Sequence, residues 1–203
     1  MAVDSLSSSI GNMSAIGLGL SSNLTPEKVG AEFQVNTFTT ANQGPYSTGF
    51  TSQAGPAVTS LSNGYLVTWS SENQDGDGAG IFAQIYDANG SMVGSEFQVN
   101  TFSSGDQYMP DIKATDDGGF LITWRSANTT SDPEILASRY NSQGEKILSD
   151  FQVNTSMSNS QLEPRVNVFS DGGYIVTWYS NHGGMYDVYG QLFDSSNQKV
   201  GSE

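Results

Sequence analysis

The residues of this 203-residue chain that could carry out catalysis are few. His182 is the single histidine and cysteine is absent, so a Ser–His–Asp triad would depend on that one side chain. The adjacent carboxylates Asp116 and Asp117 could serve glycoside hydrolysis. They stand in "TDDGG", however, where aspartate is expected because it stabilises tight turns. The sequence therefore predicts no catalytic constellation and no enzyme.

The stretch "NQDGDGAG" at 73–80 is the best candidate for an ion site. Asn73, Asp75 and Asp77 place oxygen ligands at alternate positions of a glycine-rich loop, as Ca²⁺ sites do. The bidentate glutamate of a calcium loop is missing, so a glycine-rich hairpin loop without metal is the alternative interpretation. Calcium is the one cofactor that the sequence suggests.

Glutamines next to aromatic residues are the candidates for sugar contacts. Gln84 with Tyr86, and Gln191 with Phe193, have the same spacing in two similar stretches. In the alternative interpretation of the chain as a lectin with one site per repeat, each pair would line a shallow sugar site. The tryptophans also have faces on which sugars could stack, but each ends an apolar strand and is predicted to lie in the core: Trp69, Trp124 and Trp178.

The charge balance excludes two classes of partner. The net charge is −14 with only seven lysines and arginines, and such a surface repels the phosphates of nucleic acids and anionic membranes. No segment is long and apolar enough to cross a bilayer. Residues 1–29 lack the basic start of a signal peptide and are predicted to form a flexible or docking arm.

A repeated motif organises the rest of the chain. "EFQVNT" occurs at 32–37 and 96–101, and "DFQVNT" at 150–155. Between these copies the chain repeats in units of about 53–101, 107–155 and 161–203, preceded by a strand at 30–37 and an insertion at 38–52. Residues 30–203 are therefore predicted to form one three-repeat domain.

Each unit contains four predicted strands. A proline opens the first, a glycine turn joins it to the second, and the second is apolar on both faces, as in "YLVTW". The motif itself is predicted to be the outermost strand. Four-stranded antiparallel sheets that repeat in this way are typical of β-propeller blades. The prediction is an all-β protein with three propeller-like blades, with a β-trefoil as the alternative.

Three blades are fewer than the 4–8 that close a propeller, and they leave open sheet edges. We therefore expect the chain to self-associate into a ring or a filament. In that assembly the leading strand, with Phe33 and Val35, would pair with Val188 and Leu192 in the third strand of the last unit of a neighbouring copy.

The pattern of "EFQVNT", "DGG", the strand tryptophan and "QDGDG" resembles the tandem repeats of large extracellular bacterial proteins of the RTX type, which are secreted by type I systems; similar repeats occur in ciliate proteins. The resemblance implies an extracellular or cell-surface location reached without a classical signal peptide. It also implies a non-enzymatic adhesive or structural module, with the lectin as the alternative.

Overall fold

The computed structural model describes residues 30–44, 55–127 and 132–203, and within these it contains twelve strands. The strands are β1 (Ala57–Leu61), β2 (Gly64–Glu72), β3 (Ala79–Asp87), β4 (Met92–Gln98), β5 (Asp106–Ala114), β6 (Phe120–Ala127), β7 (Glu134–Tyr140), β8 (Lys146–Gln152), β9 (Gln161–Val168), β10 (Tyr174–Ser180), β11 (Asp187–Phe193) and β12 (Lys199–Val200). None of the described segments is a helix with the length and apolarity needed to cross a bilayer. The predicted arm at 1–29 and positions 45–52 of the predicted insertion lie outside the described residues.

The strands form three four-stranded antiparallel sheets, which we call blade 1 (β1–β4), blade 2 (β5–β8) and blade 3 (β9–β12). In each blade the strands pair in chain order. Within the described part of the chain no strand pairs with a strand of another blade, as the strands of a trefoil barrel would. The propeller-like prediction is therefore confirmed, and the trefoil alternative is wrong.

The blades stack face to face and bury their apolar side chains between them. Leu66 and Ile81 of blade 1 share a core cluster with Trp124 of blade 2, and all three are fully buried. A second cluster joins the opposite face of blade 2, through Leu121, to Trp178 of blade 3. Blade 2 is covered on both faces because successive side chains of a strand point to opposite sides.

The repeated motif is the end of the outer strand together with the crossover to the next blade. β4 begins at Met92 and already ends at Gln98, so the prediction that the whole motif is the outermost strand is wrong. Beyond Gln98, the Asn100 side chain makes hydrogen bonds to backbone groups that the strand would otherwise pair. Its Oδ1 accepts the N–H of Ile81 at 2.7 Å, and its Nδ2 donates to the carbonyl of Phe102 at 3.0 Å. The bonds satisfy backbone groups that the departing strand leaves unpaired.

Asn154 repeats this arrangement in blade 2, where its Oδ1 accepts the N–H of Ile135 at 2.9 Å. The first copy of the motif differs. Residues 30–37 form no strand, and among the described residues Asn36 makes a single side-chain bond, from its Nδ2 to the carbonyl of Phe38 at 2.6 Å. The predicted leading strand is therefore not formed, since this copy has no preceding sheet to extend among the described residues.

Successive copies of the motif are joined by a carboxylate. Asp150 accepts the N–H of Thr101 at 2.6 Å and its hydroxyl at 3.1 Å. Glu96 accepts the same two groups of Thr37, and Glu203 accepts the N–H of Thr155 at 2.7 Å. Glu96 and Asp150 each open one copy and hold the threonine that closes the copy before it, and Glu203 holds the threonine of the last copy.

Replacing Asn100 by alanine should lower the free energy of unfolding by about 1–3 kcal/mol, because the buried N–H of Ile81 loses its acceptor. Asn36→Ala is the matched control in the same motif. It removes only the bond to Phe38 and should lower stability by no more than about 1 kcal/mol. Urea unfolding measures both variants, and equal losses would contradict this role for Asn100.

Asp150 should make stability fall in acid. Burial raises the pKa of this carboxyl, but the N–H of Thr101, the hydroxyl of Ser138 and the ammonium of Lys146 together lower it below its usual 3.8. A carboxyl whose pKa is depressed by folding stabilises the protein above its unfolded pKa, and the effect disappears as the pH falls through the folded pKa.

Asp150→Asn should therefore reduce stability at pH 7 by about 1–3 kcal/mol and lessen the further loss between pH 7 and pH 3. Urea unfolding across that range measures the effect. Asp116→Asn makes the same charge change in an exposed turn and should leave the pH profile as in the wild type. Identical profiles for Asp150→Asn and the wild type would refute this prediction.

Candidate functional site

A cavity of about 260 Å³ lies between blade 1 and blade 2, at the end of the sheets where the crossover enters β5. The five residues that line it are Glu72, Asn73, Gly78, Asp106 and Tyr108. Glu72 is the last residue of β2, while Asp106 and Tyr108 open β5. β5 packs against β1, β2 and β3 of blade 1, which brings carboxylates from two blades to one place.

Glu72 is buried, with 8% of its surface exposed. Its Oε2 accepts the Nδ2–H of Asn42 at 2.9 Å. Its Oε1 is also buried and has no hydrogen-bond partner among the described residues. A buried polar atom without a partner costs free energy and is rare in native structures. The carboxyl oxygen of Glu72 is therefore suited to a bound molecule.

Asp106 anchors the opposite wall of the cavity. Its Oδ1 accepts the N–H of Ala79 at 3.2 Å. The pKa of Tyr108 is raised by burial first, then by the nearby Asp106 carboxylate, and then by the charge of Glu72. Arg125 lies near enough for its charge to oppose this rise, and burial lowers the pKa of its own guanidinium. The cavity therefore combines two carboxyls, a phenol and a nearby cation.

Gly78 allows the loop between β2 and β3 to approach Asp106 and the backbone of Gly105 closely. Its φ is +66°, and a Cβ built on it would lie 2.7 Å from Oδ1 of Asp106 and 2.7 Å from the carbonyl oxygen of Gly105. Any side chain at this position would have to displace the carboxylate or the backbone of the crossover.

The predicted calcium loop borders this cavity, but its carboxylates already bond to the crossover. Asp75 Oδ2 accepts the Nδ2–H of Asn100 at 3.1 Å, and Asp77 Oδ2 accepts the N–H of Gly105 at 3.2 Å. Asn73 adopts a positive φ of 56° at the start of the loop. In the part of the chain that the structure describes, no three acidic or histidine side chains are grouped as metal ligands. Calcium binding by Asn73, Asp75 and Asp77 stays a prediction.

The four predicted sugar contacts lie in the interior. Gln84 and Gln191 are fully buried, and their Nε2 groups donate to the carbonyls of the next residues, at 2.8 and 2.9 Å. Tyr86 is 1% exposed and donates to the carbonyl of Val35, while Phe193 stacks on Tyr174 at 4.7 Å. These side chains cannot reach a sugar in this structure. Gln84 instead satisfies carbonyls beside the irregular pairing of β3 and β4, Gln191 satisfies carbonyls of β11 and β12, and the two rings fill the core.

The predicted assembly residues divide into two groups. Val188 and Leu192 are exposed on β11, by 70% and 41%. Phe33 is exposed but lies in no strand, and the carbonyl of Val35 already accepts the hydroxyl of Tyr86 at 2.6 Å. Residues 32–37 are therefore not arranged as a strand that could pair with another copy, although Val188 and Leu192 remain accessible.

The remaining catalytic candidates have structural roles. Asp117 accepts the N–H of Gly119 at 3.1 Å and pairs with Arg139 at 2.9 Å, which confirms its interpretation as a turn residue. Nδ1 of His182 is 2.9 Å from Oγ of Ser180. Because Ser180 is fully buried, its hydroxyl is not accessible to a substrate.

Glu72 and Asp106 were missed because neither belongs to a recognisable motif. A signal was nevertheless present, since both stand where the repeats differ. Counted from the strand tryptophan of each unit, Glu72 corresponds to Ala127 and Asn181. Asp106 stands directly before Gln107, whereas Ser160 stands directly before the corresponding Gln161 in blade 3. A residue that departs from a structural repeat is free to serve a function.

Comparison with known proteins gives similarity at the level of fold alone. No protein-family model and no curated protein matches the chain. An endo-arabinase from Bacteroides thetaiotaomicron superposes with a TM-score of 0.51 at 15% identity, over 72% of this chain and 61% of that one. A thermostable family-43 glycoside hydrolase superposes with a TM-score of 0.52 at 13% identity, over 73% and 54%. The chain thus spans little more than half the length of these solved structures.

Both similar structures are β-propeller enzymes, which confirms the blades as propeller-like. They also overturn the prediction of a non-enzymatic adhesive or structural module. That prediction took a repeated all-β fold without sequence motifs to be inert, whereas folds of this architecture carry glycosidase sites. The class of protein that the fold defines is an all-β protein built of propeller-like blades.

Gly78→Ala should destabilise the wall of the cavity. The new methyl group would clash with Asp106 and the carbonyl of Gly105, in addition to the strain of a positive φ. Gly76→Ala is the matched control, since Gly76 also has a positive φ but has no atom within 4 Å of an added Cβ. We expect Gly78→Ala to lose at least about 1 kcal/mol more in urea unfolding than the control, as overpacking does. Similar losses would show that the clash is absent.

Proposed function

We propose that the chain is a carbohydrate-active propeller and that the cavity between blades 1 and 2 hydrolyses a glycosidic bond. The observation that carries this proposal is the buried, unpartnered Oε1 of Glu72 in a cavity shared with a second carboxyl, that of Asp106. Glycoside hydrolases use such a pair of acidic residues. The fold similarity to an endo-arabinase and a family-43 glycoside hydrolase supports the same class of reaction.

The two carboxyls take different roles in this proposal. Glu72 protonates the leaving glycosidic oxygen through Oε1, which has no competing partner among the described residues. Asp106 is the carboxylate that activates water, and the N–H of Ala79 holds its orientation. The oxygen of the water bonds to the anomeric carbon as the bond to the leaving sugar breaks. One proton leaves Glu72 and one proton of the water passes to Asp106, so the charges balance.

Tyr108 and Arg125 set the electrostatic surroundings of the base in this scheme. Tyr108 lies close to Asp106, and the positive charge of Arg125 acts on both groups. A neighbouring cation favours the ionised form of a carboxyl. Tyr108→Phe should therefore lower activity less than removal of either carboxyl.

An extracellular or cell-surface location is part of the same proposal. The resemblance to secreted bacterial repeat proteins supports it. The net charge of −14 suits an uncharged or cationic glycan better than an anionic one, because like charges repel.

The test is hydrolysis of polysaccharides and chromogenic glycosides by the purified chain, with arabinan included because one similar structure is an endo-arabinase. Glu72→Gln and Asp106→Asn should each lower the rate by roughly 10²–10⁴-fold, the usual contribution of general acid–base catalysis. Asp116→Asn, an exposed carboxyl in the β5–β6 turn, should retain full activity.

Urea unfolding of the same variants separates loss of activity from loss of fold. Three results would contradict the proposal: no hydrolysis of any glycoside by the wild-type chain, sugar binding without hydrolysis, or undiminished activity in folded Glu72→Gln and Asp106→Asn.

A further inference from the structure

Asn42 contacts the carboxyl of Glu72 without lining the cavity itself. Its Nδ2 donates to Oε2 of Glu72 at 2.9 Å, and its carbonyl accepts the backbone N–H of Glu72 at 3.0 Å. Asn42 is not one of the five residues that line the cavity between blades 1 and 2. Its side chain can therefore act on a bound molecule only through Glu72.

Asn42 stands where the second repeat carries the other carboxyl of the site. "TANQ" at 40–43 aligns with "SGDQ" at 104–107, so Asn42 corresponds to Asp106. A carboxylate in place of Asn42 would face the carboxyl of Glu72, and two like charges in contact oppose each other's ionisation. The amide supplies a hydrogen-bond donor instead. The first repeat thus has an amide at the one copy of this position that contacts an acid.

Hydrogen bonds to the strand tryptophans support this alignment. Oε1 of Gln43 accepts the indole N–H of Trp69 at 2.9 Å. In the third repeat Gln161 accepts the indole N–H of Trp178, also at 2.9 Å. The glutamine next to Asn42 therefore fixes this segment to blade 1 as the repeat glutamine of blade 3 fixes its own segment, which gives the amide a defined position beside Glu72.

The hydrogen bond from Asn42 favours one of the two oxygens of Glu72 as the carrier of a proton. A protonated carboxyl has one O–H donor, and its other oxygen accepts. Because Oε2 already accepts the amide N–H of Asn42, the proton is favoured on Oε1. Oε1 is buried and has no partner among the described residues, so it is the oxygen available to a bound sugar.

From these contacts we infer that Asn42 is a positioning residue for the acid, which holds Oε2 of Glu72 so that Oε1 presents the proton. The inference rests on the proposed glycosidase function. As the O–H bond at Oε1 breaks, the proton passes to the glycosidic oxygen and Glu72 becomes a carboxylate, to which Asn42 still donates. Hydrogen bonds to an ionised acceptor are stronger than those to a neutral one. The bond therefore strengthens in the transition state, and such interactions raise kcat.

Two glycosides of one sugar or oligosaccharide, chosen as one that the wild-type chain hydrolyses, test this role. One carries a dinitrophenyl group, which departs as a stable anion without being protonated. The other carries a methyl group, and its methanol must be protonated as it departs. Asn42→Ala should lower kcat on the methyl glycoside roughly 10-fold, about the effect of one hydrogen bond. KM should be unchanged, and kcat on the dinitrophenyl glycoside should stay as in the wild type.

Gln43→Ala is the matched control in the same segment. It removes the bond to Trp69 and leaves the bond between Asn42 and Glu72 in place. Any loss of activity in this variant should be the same on both glycosides. Glu72→Gln should show the same preference for the dinitrophenyl glycoside as Asn42→Ala, but to a greater extent. Urea unfolding confirms that each variant is folded.

The outcomes separate this inference from the proposed function. If Glu72→Gln prefers the dinitrophenyl glycoside and Asn42→Ala does not, the role of Asn42 is wrong and the proposed function stands. Equal losses of Asn42→Ala on both glycosides, or a change in KM alone, would also refute that role. If the wild-type chain hydrolyses no glycoside, or folded Glu72→Gln is as active as the wild type on both, the proposed function is wrong and the inference falls with it.

Discussion

The arrangement of the blades depends on one buried side chain at each crossover. As the outer strand ends, Asn100 accepts the N–H of Ile81 and donates to the backbone beyond, so the sheet is completed while the chain leaves it. Asn154 does the same at the next crossover. Without this side chain, backbone groups in the interior would remain unpaired, which folded proteins rarely tolerate. The constraint explains why so short a string recurs almost unchanged.

The candidate site depends on the same crossover. Nδ2 of Asn100 also donates to Gln107 at 2.9 Å, and Gln107 lies between Asp106 and Tyr108 in β5. The residue that closes blade 1 therefore also holds the first residues of blade 2 in place. Asp75, from the glycine-rich loop, lies 3.1 Å from the same Nδ2, whose two hydrogens are shared among the acceptors of Phe102, Gln107 and Asp75. The wall of the cavity is in this way connected to the core of the fold, and groups held in this manner are suited to catalysis because they need little reorganisation.

The repeat and its exceptions have different physical roles. Positions that recur, such as the asparagine and the strand tryptophan, satisfy backbone groups or fill the space between blades. Positions that differ, such as Glu72 and Asp106, line the cavity. Burying a carboxyl such as Glu72 lowers stability unless it is paired. A charged group is therefore tolerated at one blade contact because the other contacts supply apolar burial.

Much of the fold could be predicted from local pattern. Alternating apolar side chains and regularly spaced glycine turns predicted four strands per unit and buried Trp124, because strand periodicity and turn chemistry are properties of neighbouring residues. The candidate site could not be predicted in this way. Glu72 and Asp106 meet only when two blades stack, and Gln84 is buried only because of the irregular strand pairing beside it. Which polar groups share a cavity, and which are covered, depends on contacts between distant segments that only the tertiary structure brings about.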